Sequence, residues 1–171
     1  VASIHQEENL NNLNNLKYLI NFLNEVSLKF KKKIIFSTHP RTFKVLKKNK
    51  IKFNKYIIFS KPLDYFDYSK LQTKSLFTFS DSGSISEESY IMKFNAFNLR
   101  EAHERHEAME QGIVQMLNFK KETNINSLRK ILKSKINKKY LKDYEQKDVS
   151  DKVIKIISSY ISHTNTFKYL K

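Results

Sequence analysis

The sequence predicts an α/β fold: an open parallel sheet of about six strands with helices on both faces. Three observations carry that prediction. Short apolar runs alternate with stretches of helical spacing from Val1 to Leu117. The runs are apolar throughout, as in Tyr56-Ile57-Ile58-Phe59, which suits strands covered on both faces. Each run ends in a small polar turn, and in an open α/β sheet the turns at the carboxyl ends of the strands form the edge where ligands bind.

Val1 to Ile4 reads as the tail of a buried strand already under way, so the chain is expected to be a piece of a longer protein. His5 to Asn9 reads as a polar turn. Leu10, Leu13, Leu16, Leu19, Ile20, Leu23 and Val26 then fall at helical spacing, with asparagines on the outer face. Ile34 to Phe36 is a second strand. Pro40 stops it, and Arg41 opens a short helix to about Lys48. Tyr56 to Phe59 is a third strand, followed by a helix from Tyr65 to Gln72 with Phe66, Ser69 and Leu71 turned partly inward. Leu76 to Phe79 is a fourth strand, Ser84 to Met92 a helix, Ala96 to Leu99 a fifth strand and Ile113 to Leu117 a sixth. Beyond residue 124 the spacing is helical, through Ile125 and Leu128, then Val153, Ile156, Ile157 and Tyr160. Residues 1–162 form one domain on this reading, and 163–171 a polar and aromatic tail.

A chain of 171 residues is long enough for a sizeable core. Cysteine is absent, which excludes a disulfide framework and a thiolate metal site and is compatible with a cytoplasmic setting. No apolar run approaches membrane-spanning length, so no membrane partner is expected. The formal charge of +15 rests almost wholly on lysine, with arginine only at positions 41, 100, 105 and 129. Specific nucleic-acid binders favour arginine forks and aromatic-basic readers, and neither pattern occurs. The joint abundance of Lys, Asn, Ile, Phe and Tyr fits an AT-rich coding bias, so no nucleic-acid partner is expected.

The most informative stretch runs from Phe79 to Glu88. An apolar run stops at Asp81-Ser82-Gly83, with one of only two glycines in the chain, and a helix starts at once. Ser84 and Glu87 have the S-x-x-E spacing of a capping box. Free amides at such a helix start attract phosphates. An ordinary strand, turn and capped helix would carry the same residues. His5, His39, Lys61, Ser82 and Arg100 or Arg105 all follow predicted strands and so share one rim.

His5 is a candidate to move a proton or hold a phosphate, and equally a surface histidine in a helix-capping turn. His39, before Pro40, reads either as a ligand residue or as a histidine bonded to backbone. Glu88 is placed to accept ribose hydroxyls, or to face water in a first helical turn. In the charged loop Arg100 to Glu107, His103 and His106 sit beside glutamates, but no third anchored ligand is evident and no metal is expected. An arginine of that loop is the better candidate, because a guanidinium fork suits phosphate.

Four segments in chain order resemble the C-terminal half of the non-hydrolysing UDP-N-acetylglucosamine 2-epimerase family. Ile4-His5-Gln6-Glu7-Glu8-Asn9 is similar to its H-R-x-E-N turn. Ser37-Thr38-His39-Pro40-Arg41-Thr42 follows. Ser80-Asp81-Ser82-Gly83-Ser84-Ile85-Ser86-Glu87-Glu88 resembles its D-S-G-G-I-x-E-E. The segment Arg100 to Gly112 resembles its R-x-x-x-E-R-P-E-x-x-x-x-G. The chain departs from the pattern with Gln6 for arginine, Ser84 for the second glycine, His106 for proline, and Leu63 where some members have a uracil-contacting glutamine.

The resemblance implies half of a glycosyltransferase-B-like enzyme of two Rossmann-like domains, with an N-terminal domain absent here as partner. It implies a full-length homodimer that needs no cofactor and acts on a UDP-N-acetylhexosamine. By the same resemblance His5 is a substrate-contacting and catalytic residue, and Tyr68 lies near uracil. Ser82, Gly83 and Ser84 form the phosphate turn, Glu88 binds ribose, Arg105 contacts the nucleotide, and His39 and Arg100 are possible further contacts. The main acid and base carboxylates belong to the other domain, so this chain alone is expected to be inactive. The segments from Ser37 and Arg100 look closest to the capsule and O-antigen branch that forms UDP-N-acetyl-L-fucosamine. Alternatives are a UDP-sugar glycosyltransferase half-domain and a non-catalytic nucleotide-sugar-binding module.

Overall fold

Six parallel strands form one sheet in the order β3-β2-β1-β4-β5-β6. They are β1 (Ala2–Ser3), β2 (Ile34–Ser37), β3 (Ile57–Ser60), β4 (Thr78–Ser80), β5 (Ala96–Asn98) and β6 (Val114–Met116). The computed structural model describes residues 1–100, 105–117, 125–133 and 141–169. The intervening helices are α1 (Glu7–Asn11), α2 (Leu13–Phe30), α3 (Pro40–Lys48), α4 (Tyr65–Lys74), α5 (Ile85–Met92) and α6 (Glu107–Glu110), and α7 (Ile125–Lys133) follows the sheet. Strand order runs outward from β1 in one direction and from β4 in the other. Right-handed crossovers then place the helices of the two halves on opposite faces. The expected α/β architecture is therefore the observed one.

Two neighbouring rows of the sheet explain why the chemistry lies at one edge. In the first, Phe36 pairs with Ala2, Ala2 with Phe79, and Phe79 with Phe97. All four are buried, and Phe79 and Phe97 stack at 5.4 Å. The small Ala2 leaves room for the phenylalanines on either side, and Phe22 of α2 meets Phe79 edge-on at 5.4 Å. One residue further along, the row is Ser60, Ser37, Ser3, Ser80 and Asn98. Side chains one step apart point to opposite faces, and this polar row leads into the turns at the carboxyl ends. The sheet thus passes from aromatic core to hydroxyls within one residue.

Several elements differ from expectation. Residues 7–9 are helical, and the expected long helix is broken at Asn12, which is extended (φ −98°, ψ 99°). Its side-chain oxygen accepts from the amides of Asn14 and Asn15 and restarts the helix as α2, the usual competition of asparagine with the backbone. Phe66 is 82% exposed, and the buried residue of α4 is Gln72. Strands β3 and β4 begin one and two residues late, where parallel neighbours are available to pair.

The residues cluster into two compact units, Val1–Lys139 and Tyr140–Lys171. The second consists of a short 3-10 turn (Lys142–Glu145) and α8 (Val149–Tyr169). The segment read as a tail from residue 163 is thus helical through Tyr169. Its polar residues have modest helix propensity, but extending an existing helix adds a hydrogen bond per residue without a new nucleus. Val153, Ile156, Ile157 and Tyr160 on α8 are all exposed. No helix among the described residues is long and apolar enough to cross a membrane.

Candidate functional site

The strand order reverses between β1 and β4, and a crevice opens there at the carboxyl ends of the strands. The turn after β1 supplies His5. The turn after β4 supplies Asp81, Ser82, Gly83 and Ser84, and α5 follows. A cleft of about 240 Å³ at this point is lined by Ser3, His5, Ser37, Leu63, Asp64, Tyr65, Tyr68, Ser80, Ser82 and Glu88. The sheet thereby brings His5, Tyr68, Ser82 and Glu88 together from two turns and two helices.

Asp81 joins the two turns. Its carboxylate is fully buried and accepts from the His5 amide (3.1 Å to each oxygen), the Gln6 amide (3.0 Å) and the Asn9 side-chain amide (3.0 Å). Ring Nδ1 of the half-exposed His5 lies 3.2 Å from the same carboxylate. A buried carboxylate tolerates burial when several donors compensate it, and here they do so by fixing the His5 turn. No sequence signal marked Asp81 for this role.

A chain of hydroxyls runs along the residues that line the cleft. Tyr68 Oη donates to Ser3 Oγ at 2.8 Å, Ser3 Oγ lies 2.9 Å from Ser80 Oγ, and Ser80 Oγ accepts the Ser82 amide at 3.1 Å. Burial holds the Tyr68 phenol above its usual pKa, outweighing the hydrogen bond with Ser3. Tyr68 thus lines the cleft with its hydroxyl tied to β1 through Ser3.

The expected capping box does not form. Ser84 is helical (φ −75°, ψ −5°), and its side chain caps no backbone amide. Caps work from an extended residue. A helical Ser84 directs its hydroxyl to the side chain four residues on, donating to Glu88 Oε1 at 2.6 Å. The other Glu88 oxygen accepts from the buried Gln72 side chain at 2.8 Å. Glu88 is thus neither free nor merely solvated. Glu87 is paired with Arg105 Nη1 instead of reaching back to the backbone, which holds Arg105 against the first turn of α5.

The remaining candidates lie outside the cleft lining. His39 Nδ1 accepts the Arg41 amide at 3.3 Å and caps α3, in line with the backbone-bonded alternative. The Arg100 amide donates to the Asn98 side chain at 2.9 Å. His103 lies outside the described residues, so the pair of histidines in its loop has no described geometry. Gly83 has ample space around its Cα and needs no left-handed conformation. A glycine there leaves the Ser82–Ser84 backbone open to close approach from the cleft side.

A family model described as UDP-N-acetylglucosamine 2-epimerase matches residues 1–158. The chain is 33% identical over 141 residues to a UDP-N-acetylglucosamine 2-epimerase of Methanocaldococcus jannaschii, covering 80% of this chain and 38% of that protein. It is 32% identical over 138 residues to a protein of the same name from Methanococcus maripaludis, again covering 38% of it. The chain thus spans well under half the length of these curated relatives. Among solved structures, the M. jannaschii UDP-GlcNAc 2-epimerase in complex with UDP-GlcNAc and UDP superposes with a TM-score of 0.79 at 30% identity, over 92% of this chain and 44% of that one. The UDP-N-acetylglucosamine 2-epimerase of Rickettsia bellii gives 0.76 at 36% identity, over 99% and 46%.

Proposed function

Because the chain belongs to the UDP-N-acetylglucosamine 2-epimerase family, we propose that it is the UDP-binding half of a UDP-N-acetylhexosamine 2-epimerase. The observation that carries this is the convergence of His5, Tyr68, Ser82 and Glu88 on one cleft at the point where the strand order reverses. The diphosphate sits at the Ser82–Ser84 amides, the ribose on Glu88 and the uracil against Tyr68. His5 lies beside the pyrophosphate and sugar. Arg105, held next to this turn by Glu87, supplies a guanidinium for the phosphates. Residues 1–162 act together as the nucleotide-binding domain.

The reaction this reading assigns to the whole enzyme inverts C2 of the sugar. UDP is eliminated across C1–C2, and it is added back after C2 is protonated from the other face. This half stabilises the departing UDP with amides and charges fixed in advance. His5 orients the sugar or balances pyrophosphate charge. The carboxylates that move the C2 proton belong to an N-terminal domain, with a homodimer as the working assembly. The branch we favour acts on UDP-2-acetamido-2,6-dideoxy-L-talose for surface polysaccharide synthesis. The segments from Ser37 and Arg100 support that choice, and the absence of cysteine supports a cytoplasmic setting.

Calorimetric titration with UDP tests the reading. Loss of charge-assisted hydrogen bonds in Glu88→Ala is expected to weaken UDP binding by about ten-fold or more, with a stability loss of about 1–3 kcal/mol from the buried Gln72 amide left unpaired but a chain that still folds. No UDP binding by the parent chain at millimolar concentration would sink the proposal.

A further inference from the structure

We propose that Ser84 is an affinity-determining residue that competes with the ribose diol for the Glu88 carboxylate. This rests on the UDP-binding reading above and deepens it. The Ser84 carbonyl accepts the Glu88 amide at 3.0 Å, so the two side chains are held one helical turn apart on the same face. Ser84 has a single hydroxyl proton, and it is donated to Glu88 Oε1 at 2.6 Å. In the 3.0 Å contact between the Ser82 and Ser84 hydroxyls, Ser82 must then be the donor. A directed chain results, from Ser82 to Ser84 to Glu88.

The two bonds to Glu88 differ in their exposure. Gln72, which donates to Oε2, is 1% exposed and cannot give way without opening the interior. Ser84 is exposed, so its bond to Oε1 is the one an incoming diol replaces. A vicinal diol needs acceptors on the cleft side of the carboxylate; Glu88 lines the cleft, but its Oε1 is tied to Ser84, which does not. Binding therefore exchanges an existing charge-assisted hydrogen bond for new ones, and affinity reflects only the difference.

The test is titration of the parent chain, Ser84→Ala and Ser84→Thr with UDP and with 2′,3′-dideoxy-UDP. Ser84→Ala is expected to bind UDP about five-fold more tightly, the equivalent of one modest hydrogen bond, with no comparable gain for the dideoxy nucleotide. Ser84→Thr keeps the hydroxyl and is expected to keep the parent's ratio of UDP to dideoxy-UDP affinity. An equal gain for both nucleotides would overturn the competition, since the dideoxy sugar has no diol to compete. Unchanged or weaker UDP binding by Ser84→Ala would also overturn it, leaving the UDP-binding reading intact. Absence of UDP binding by all three proteins would refute that reading and the inference with it.

Discussion

Removing the Asp81 carboxylate leaves the His5 and Gln6 amides and the Asn9 side-chain amide without their acceptor in a buried place. Unpaired buried donors cost roughly 1–3 kcal/mol each, and breaking a buried charged network about 3–5 kcal/mol. Asp81→Ala is accordingly expected to lose about 3 kcal/mol or more in urea unfolding. A loss under about 1 kcal/mol would show that the His5 turn is held by something else. Ser82, Gly83 and Glu88 were legible as site candidates because a strand end, a glycine and a helix start stand next to one another in sequence. Asp81 belonged to the same run, yet its role was hidden. Its partners lie up to 76 residues away, and only strand pairing brings β1 beside β4.

At the scale of elements, the start of α5 separates two uses of one motif. The S-x-x-E spacing of Ser84 and Glu87 would serve a cap, whereas the bond that forms joins Ser84 to Glu88, four residues on. The backbone angles of Ser84 decide between them, and a helical Ser84 turns to Glu88. Gly83 is the matching case on the ligand side. With free space about its Cα and no left-handed angle, Gly83→Ala is expected to unfold within about 0.5 kcal/mol of the parent. A methyl group facing the turn is expected to weaken UDP binding measurably. Parent-like UDP affinity in that variant would place the diphosphate elsewhere. The break at Asn12 belongs to the same scale. Apolar spacing continued across it, and only the side-chain cap on the Asn14 and Asn15 amides set the boundary.

Considered whole, the molecule carries half of a site on the reading proposed above. His5, Tyr68, Ser82 and Glu88 hold a nucleotide on this reading, but among the described residues Asp64 and Glu88 are the acidic ones lining the cleft, and Glu88 is committed to Gln72 and Ser84. Incubation of this chain alone with UDP-N-acetylglucosamine in deuterated water is expected to give neither the C2 epimer nor deuterium at C2, as followed by NMR. Turnover by the chain alone would show that the C2 proton is moved from within these 171 residues. C2 exchange in an enzyme that contains the N-terminal domain would separate an epimerase from a glycosyltransferase, which has no need to exchange that proton.

The sequence by itself determined the α/β class, the six strands in order, and the turns at which chemistry was expected. Those features are local: apolar runs, breakers and helix starts report on neighbours along the chain. Tertiary structure alone decided the strand order that reverses between β1 and β4, the burial of Asp81 beneath His5, and the occupation of Glu88 by Gln72 and Ser84. Each of these joins residues distant in sequence or turns on a backbone angle, and residue identity leaves such angles open until packing selects one.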